Sequence, residues 1–174
     1  RRYARFQGAF DALSRPLTHL LCQHQDDADR FHRLGIGRNR LAVTGSIKFD
    51  LRIDPELPVR AAALRQGWGQ RRVWIAASTH AGEDEVVLAA HRQLLAERPD
   101  ALLILVPRHP ERFEQAFESS RREGFATLRR STGEAVTADT QVLVGDTLGE
   151  LLFLYALADL AFVGGSLVAN GGHN

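Results

Sequence analysis

Residues 101–106, Ala-Leu-Leu-Ile-Leu-Val, form a continuous apolar run that constrains the fold more than any other stretch. A strand with one face in water alternates apolar and polar residues, whereas a parallel strand covered on both faces is apolar throughout. Short strand-like runs alternate here with helical patterns, with strands predicted at 73–77, 101–106, 125–128, 141–144 and 160–163 and helices at 58–66, 83–97 and 111–123. The alternation predicts an α/β fold with a Rossmann-like, doubly wound parallel sheet.

Two of the predicted helices carry more specific signals. In the helix over 83–97, Val86, Val87, Ala90 and Leu94 share one face, which predicts that this face is buried. Residues 147–150, Thr-Leu-Gly-Glu, read as a capping box that begins a helix running to residue 157. Asp146 is interpreted in the same way, mainly as a capping residue.

The first part of the chain is predicted to belong to a different domain. Helices at 6–14 and 26–34 and strands at 17–23 and 41–44 make one βαβ piece that is too small to bury its own core. Residues 1–44 are therefore predicted to be the C-terminal piece of an N-terminal domain. A polar, proline-bearing stretch at 45–57 is the predicted linker, and 58–174 the second domain. The chain begins with Arg and has no methionine, so we expect an excerpt of a longer protein.

Composition excludes several classes of protein. The net charge is +1, from 22 Lys and Arg against 21 Asp and Glu, so no overall field attracts nucleic acid or a membrane surface. Cys22 is the only cysteine, which excludes an internal disulfide. No apolar run is long enough to span a bilayer. The arginine pair Arg71-Arg72 is predicted to be solvated surface.

The predicted loops after the strands are unusually polar. In a parallel sheet these loops share one edge, where ligands of α/β proteins bind. They are Ser78-Thr79-His80-Ala81-Gly82, Pro107-Arg108-His109-Pro110, Gly145-Asp146-Thr147 and Gly164-Gly165-Ser166. Hydroxyls, imidazoles, an arginine, glycines and a helix N-terminus predict a phosphate-binding edge. A second glycine pair, Gly171-Gly172, is followed at once by His173 and Asn174.

Other interpretations of these residues stay open. Ser78 and Thr79 are also ordinary helix-capping residues. His80, Glu83, His109 and His173 are of the types that bind metals, but no strong metal-ligand spacing is present. A Gly-Lys-Ser/Thr phosphate loop and a Gly-x-Gly-x-x-Gly motif are both missing, which argues against nucleoside triphosphatases and dinucleotide enzymes.

Six motifs in order resemble those of the 3-deoxy-D-manno-octulosonic acid (Kdo) transferase family. They are Gly-Ser-Ile-Lys-Phe-Asp at 45–50, Ala-Ser-Thr-His-Ala-Gly-Glu at 77–83, Leu-Val-Pro-Arg-His-Pro-Glu-Arg-Phe at 105–113, Gly-Asp-Thr-Leu-Gly-Glu-Leu at 145–151, Ala-Asp-Leu-Ala-Phe-Val-Gly-Gly-Ser-Leu at 158–167 and Gly-Gly-His-Asn at 171–174. The resemblance is strong over 45–174 and looser over 1–44. It implies a two-domain glycosyltransferase of the GT-B fold that moves Kdo from CMP-Kdo to the lipid A precursor, lipid IVA, in lipopolysaccharide biosynthesis of Gram-negative bacteria.

The resemblance also implies residue roles. Ser78, Thr79 and Arg108, with His80 and His109 beside them, would lie near the CMP phosphate, and Gly164, Gly165 and Ser166 would line the cleft. Gly172, His173 and Asn174 would open a His-Asn-x-x-Glu motif whose glutamate lies beyond residue 174. Ser46 and the pair Ala169-Asn170 depart from the residues that the family often has there.

For the whole protein the resemblance implies a further set of properties. The general base would lie upstream of residue 1, so no catalytic residue is expected within these 174 residues. They would form a donor-binding half that is inactive alone. No metal and no cofactor are implied. The full-length protein would associate with the cytoplasmic face of the bacterial inner membrane through a missing N-terminal region, whereas the excerpt itself would be soluble.

Three alternative functions compete with this interpretation. Another GT-B nucleotide-sugar transferase or a sugar-nucleotide epimerase would share the sheet and the glycine loops. A phosphate-binding module would have no chemistry of its own. A metal-dependent phosphoesterase would use His80, His109 and His173. Transfer from CMP-Kdo rather than from UDP-linked donors would argue against the first alternative. Catalytic activity of the complete protein would argue against the second. The third alternative requires a metal ion bound in stoichiometric amount.

Overall fold

The computed structural model describes residues 7–46, 50 and 52–168, and its chain divides into two compact units, Arg1–Ile53 and Asp54–Asn174. The division falls within the stretch 45–57 that the sequence predicts as a linker. Gly172, His173 and Asn174 lie outside the described residues.

The first unit is a small α/β element. Its parts are α1 (Gln7–Ser14), β1 (Leu20–Cys22), α2 (Gln25–Arg33), a short 3-10 helix (Arg38–Arg40) and β2 (Leu41–Val43), and β1 pairs in parallel with β2. The strand β1 begins three residues later than predicted. The Leu17 amide still closes a turn on the Ser14 carbonyl at 3.2 Å, and the Arg40 guanidinium binds the Ser14 and Leu17 carbonyls. Residues 15–19 therefore form the turn that follows α1.

The second unit is the predicted doubly wound parallel sheet. Along the chain it contains α3 (Glu56–Gln66), β3 (Val73–Thr79), α4 (Glu83–Glu97), β4 (Leu102–Pro107), α5 (Phe113–Arg122), β5 (Thr127–Arg129), β6 (Val142–Val144), α6 (Leu151–Ala156) and β7 (Leu160–Val163). The strand order is β5-β6-β4-β3-β7, and every pair is parallel. Short 3-10 helices at Pro110–Arg112 and Arg130–Thr132 follow β4 and β5. The predicted fold class is confirmed.

Side chains of alternate strand residues build a core on each face of this sheet. Every residue of β4 is buried, as the apolar run predicts. One core contains Ile75, Leu102 and Ile104 with residues of α3 and α6, and the other contains Ala76, Leu103 and Leu105 with residues of α4 and α5. Helices thus cover both faces, as a parallel sheet requires.

The buried face of α4 differs from the prediction. Val87 is buried as predicted, but Val86 is 51% exposed and Ala90 is exposed, whereas Leu88 and His91 point inward. His91 tolerates burial because Nδ1 accepts the Trp74 indole N–H at 3.1 Å and Nε2 donates to the Gln141 carbonyl at 2.9 Å. Burial lowers the His91 pKa to about 4, so the ring is neutral. The buried face of α4 therefore includes polar residues with hydrogen-bond partners, whereas the pattern predicts an entirely apolar face.

The predicted capping box and the predicted surface position of Arg71 are both wrong. Thr147 Oγ1 donates to the Glu150 carboxylate at 2.6 Å, so Thr147 does not cap a helix, and α6 begins only at Leu151. Asp146 accepts the Ser131 amide and hydroxyl at 2.8 and 2.6 Å and so fixes the loop after β5.

Arg71 is only 5% exposed because its guanidinium binds carbonyls of the loops before β4 and β6, among them those of Asp100 and Thr137 at 2.7 and 2.9 Å.

The strand β7 is the edge of the described sheet beside β3, and its residues are largely exposed. Leu160 is 69% exposed and Val163 is 47% exposed. A groove of about 490 Å³ runs between α4 and β7, and its lining is mostly apolar, with Trp74, Leu94 and Leu160 among its residues. A parallel strand is normally covered on both faces. The part of the chain that the structure describes leaves this one uncovered.

Candidate functional site at the carboxyl edge of the sheet

The loops that follow β3, β4, β6 and β7 leave the sheet at one edge, as predicted from their polar residues. The strand β3 lies between β4 and β7, so its loop neighbours both of theirs. Backbone hydrogen bonds join them: the Arg108 amide donates to the Thr79 carbonyl at 2.9 Å, and the Gly164 amide donates to the Ala77 carbonyl at 2.8 Å. The edge is therefore a single surface built from consecutive strand ends.

Glu83, the first residue of α4, organises this edge, whereas the sequence suggested it only as a possible metal ligand. Its carboxylate is fully buried and accepts hydrogen bonds from three backbone amides, one of which contacts both oxygens. The His80 amide donates to Oε2 at 2.9 Å, the Gly165 amide lies 2.8 Å from both oxygens, and the Leu167 amide donates to Oε1 at 3.0 Å. Glu83 thus ties the loop after β7 to the loop after β3.

The charge of Glu83 is held by the same contacts. Burial alone would raise the pKa of this carboxyl, but the amides of His80, Gly165 and Leu167 and the nearby His80 imidazole outweigh burial and hold the pKa below its usual 4.5. The Glu83 amide in turn donates to the His80 carbonyl at 3.0 Å. This second bond joins backbone to backbone, so the segment is a turn before α4 and not a capping box. The residue three positions before Glu83 is His80 and not Ser or Thr, so the sequence carried no capping signal for this role.

Backbone conformation at the edge is tightly constrained. Ser78 has φ 56°, a left-handed conformation that a non-glycine residue rarely adopts. A Cβ atom at Gly164 would lie 2.5 Å from the Ser78 carbonyl oxygen and 2.6 Å from Glu83 Oε2, so only glycine fits there. Gly165 has φ 91°, which also favours glycine. The glycines after β7 are explained by close packing against the loop after β3.

Arg112 and Asp84 form a second buried support that the sequence reasoning did not single out. Arg112 Nη1 donates to the Thr79 carbonyl at 2.9 Å, and Nη2 pairs with Asp84 Oδ2 at 2.5 Å. Both side chains are nearly buried, at 11% and 3% exposed. Burial raises the Asp84 pKa even though Arg112 opposes the shift. The pair thus links the last residue of β3, Thr79, to the first turn of α4.

Arg108 lies four residues before Arg112 and has the opposite environment. Its side chain is exposed and makes no hydrogen bond or ion pair with any residue that the structure describes. His109 is also exposed, and its ring lies 6.1 Å from the ring of the half-buried His80 at an interplanar angle of 74°. The backbone of Arg108 is therefore held by its bond to Thr79, while no described residue pairs with the charge of its side chain.

The structure separates the predicted site residues into two groups. Ser78, His80, Arg108, His109 and Ser166 are exposed or half-buried at the edge. Thr79, Gly164 and Gly165 are buried beneath it, and the amides of both glycines are already bonded within the protein. Thr79 differs from its predicted place beside a phosphate because its side chain is 0% exposed and its carbonyl receives Arg108 and Arg112. Of the two groups, only the first has side chains that are accessible at this edge.

The described residues contain no group of three or more His, Cys, Asp or Glu side chains arranged to hold a metal ion. His173, the third histidine of the phosphoesterase alternative, lies outside those residues. Among the helices that the structure describes, none is long and apolar enough to cross a membrane.

Comparison with known proteins connects both units to one family. The model of the 3-deoxy-D-manno-octulosonic-acid transferase (kdotransferase) family matches residues 1–51. The 3-deoxy-D-manno-octulosonic acid transferase of Haemophilus influenzae is 45% identical over 174 residues, 99% of this chain and 41% of the relative. That of Bordetella pertussis is 41% identical over 162 residues, 91% of this chain and 37% of the relative.

A solved structure extends the similarity to the second unit. The crystal structure of the C-terminal CMP-Kdo binding domain of WaaA from Acinetobacter baumannii is similar with a TM-score of 0.65 and 43% sequence identity, over 70% of this chain and 64% of that one. The chain belongs to the Kdo transferase family. The chain spans 41% and 37% of the length of the two bacterial relatives.

Proposed function

We propose that these 174 residues form the donor-binding half of a glycosyltransferase that moves Kdo from CMP-Kdo to the lipid A precursor, lipid IVA, in lipopolysaccharide biosynthesis. The observation that carries the proposal is the 43% identity, at a TM-score of 0.65, to the C-terminal CMP-Kdo binding domain of WaaA from Acinetobacter baumannii. The carboxyl edge described above is where an α/β domain binds a nucleotide. The donor therefore lies across the loops after β3, β4 and β7.

The exposed residues of the edge suit the charge that the reaction develops. The acceptor hydroxyl attacks the anomeric carbon of Kdo, the bond from that carbon to the CMP phosphate oxygen breaks, and its electron pair leaves with CMP. The guanidinium of Arg108 can form two parallel hydrogen bonds to that phosphate, and they strengthen as its charge grows. Ser78, His80, His109 and Ser166 supply further polar groups around it. We assign the donor phosphate to Arg108.

The remaining requirements are assigned to the rest of the full-length protein. The acceptor proton must pass to a positioned base. We propose that this base, like the ribose-binding glutamate, comes from outside residues 1–174, and that Gly172, His173 and Asn174 begin the ribose-binding segment. We also propose that residues 1–44 come from the acceptor domain. The same full-length protein is proposed to act at the cytoplasmic face of the inner membrane.

The test is a transfer assay on the full-length protein with purified lipid IVA. We expect Kdo to be transferred from CMP-Kdo and no sugar to be transferred from UDP-linked donors at the same concentration. Transfer from a UDP-linked donor in place of CMP-Kdo would overturn the donor assignment. Hydrolysis of the donor without any glycosylated lipid would overturn the acceptor assignment.

A further inference from the structure

Glu83 occupies the position where the loop after β7 meets the loop after β3, yet it is completely buried and cannot itself contact a donor. Both of its oxygens accept hydrogen bonds from this junction. Oε2 receives the His80 amide, Oε1 receives the Leu167 amide, and both are 2.8 Å from the Gly165 amide. Its carboxylate therefore fixes three backbone positions in the two loops that carry Ser78, His80 and Ser166.

Ser166 depends most directly on this arrangement. It is exposed, and it lies between Gly165 and Leu167, whose amides both donate to Glu83. With its two neighbours held by one carboxylate, Ser166 has little freedom to move away from the edge. The close approach of Gly164 to the Ser78 carbonyl holds the same loop from the other end.

We propose that Glu83 is a positioning residue for donor binding, which acts by presenting Ser166 and the His80 loop in a fixed conformation to the nucleotide. The inference rests on the proposed function, because it takes the nucleotide of CMP-Kdo as the ligand of this edge. Preorganised groups bind a ligand without the cost of ordering them at the moment of binding. Loss of the carboxylate should therefore weaken binding of the donor more than binding of the acceptor.

The isosteric variant Glu83→Gln is the sharpest probe. Each oxygen of Glu83 accepts at least one amide, so a glutamine places its NH₂ group against an N–H donor in either orientation. Glu83→Ala removes every bond to the side chain. Glu85→Gln is the matched control, since Glu85 is exposed in the same first turn of α4.

The experiment measures steady-state transfer by the full-length protein, with CMP-Kdo and lipid IVA varied in turn, and inhibition by CMP. For Glu83→Gln we expect the KM for CMP-Kdo and the inhibition constant of CMP to rise by roughly tenfold, with the KM for lipid IVA within about twofold of wild type. Glu83→Ala should show a larger rise, and Glu85→Gln none. The graded order separates positioning from a general loss of active protein, which lowers kcat alone.

Two results would overturn the inference. If the KM for CMP-Kdo and the inhibition constant of CMP stay at wild-type values in Glu83→Gln while the melting temperature falls, Glu83 is structural only. If the constants for donor and lipid IVA rise equally, the effect is not specific to the donor. Wild-type protein that transfers nothing from CMP-Kdo refutes the proposed function and the inference with it, whereas an active wild type with unaltered variants refutes the inference alone. If Glu83→Ala does not fold, Glu83→Gln decides.

Discussion

Arg108 and Arg112 lie in the same segment after β4 but have opposite environments, and this difference predicts opposite phenotypes. The Arg112 guanidinium is bonded to the Thr79 carbonyl and to Asp84, whereas the Arg108 side chain is exposed with no bonded partner among the described residues. Removing one partner of a nearly buried ion pair destabilises a protein because the other charge stays buried and unpaired, whereas truncating an exposed arginine costs little. The residue that holds the fold and the residue that we assign to the donor are thus separable by mutation.

The substitution Arg108→Ala in the full-length protein should lower kcat/KM for CMP-Kdo by roughly 10²-fold, because one preorganised electrostatic contact to the leaving phosphate is lost. Arg108→Lys keeps the charge but not the planar fork and should recover part of the loss. Steady-state kinetics and thermal melting measure both effects. Arg122→Ala, at another exposed arginine, is the control. Wild-type kinetics in Arg108→Ala would show that the phosphate is held elsewhere.

The substitution Arg112→Met should instead destabilise the 174-residue chain. It leaves the buried carboxylate of Asp84 without its partner, which costs about 3 kcal/mol of unfolding free energy. Adding Asp84→Asn to Arg112→Met should restore part of that loss, since the unpaired charge is removed. Urea denaturation of the two single variants and the double variant measures the coupling. A loss below about 0.5 kcal/mol in Arg112→Met would mean that the pair behaves like an exposed one.

Glu83 predicts a specific dependence of stability on pH. Its pKa in the folded chain lies below the usual 4.5, so its stabilising contribution is fully present above the unfolded pKa and is lost as the pH falls through the folded pKa. Wild type should therefore be more stable than Glu83→Gln at pH 7, and the difference should shrink below about pH 4.5. Urea denaturation of both proteins across this range tests the sign. A difference that grows toward acid pH would contradict it.

Among the sequence patterns, the apolar runs predicted the strands most reliably. The all-apolar run at β4 and the short runs at β3 and β6 predicted the parallel sheet because burial on both faces leaves that pattern. The run at β7 also predicted a strand, although most of its residues are exposed. The face of α4 could not be predicted, since the inward positions of Glu83, Asp84 and His91 depend on partners far away in the chain. The polar loops predicted the edge, but not which loop residues face outward and which support it.

The exposed edge strand β7 predicts a liability of the 174-residue chain. Leu160 is 69% exposed beside the apolar groove between α4 and β7, and uncovered apolar edge strands promote association. Leu160→Lys should raise the soluble concentration of this chain by about twofold or more, with a change in melting temperature below about 2 °C. Concentration series in light scattering measure this. Leu148→Lys, at a Leu that is 78% exposed in a loop, is the control and should have no effect. An equal gain from both variants would point to net charge alone.

At the scale of the whole molecule, the two units differ in how much core each has of its own. The second unit has a core on each face of its sheet. In the described part of the first unit the buried apolar residues are Cys22, Ala28 and Ile36, while Leu13 and Leu21 are 75% and 69% exposed. The family and the fold class predicted from the sequence are confirmed. The predicted domain boundaries and donor-binding residues remain predictions.

The difference in core predicts what happens when the units are expressed separately. Residues 54–174 alone should melt cooperatively, at a temperature within about 5 °C of the 174-residue chain, because both core clusters consist of residues of this unit. Residues 1–53 alone should show no cooperative transition. Circular dichroism on the two fragments and on the 174-residue chain tests this. A sharp transition in residues 1–53 would show that the small unit is self-sufficient.

The central position of β3 has a consequence for synthesis on the ribosome. Its partner β4 is the next strand along the chain, but its other partner, β7, is the last strand described. Until residues 160–163 emerge, one side of β3 carries backbone N–H and C=O groups without their sheet partners, a state open to mispairing. The loop that Glu83 anchors follows β7 directly. The loops that we assign to the donor can therefore reach their final conformation only after β7 has paired with β3.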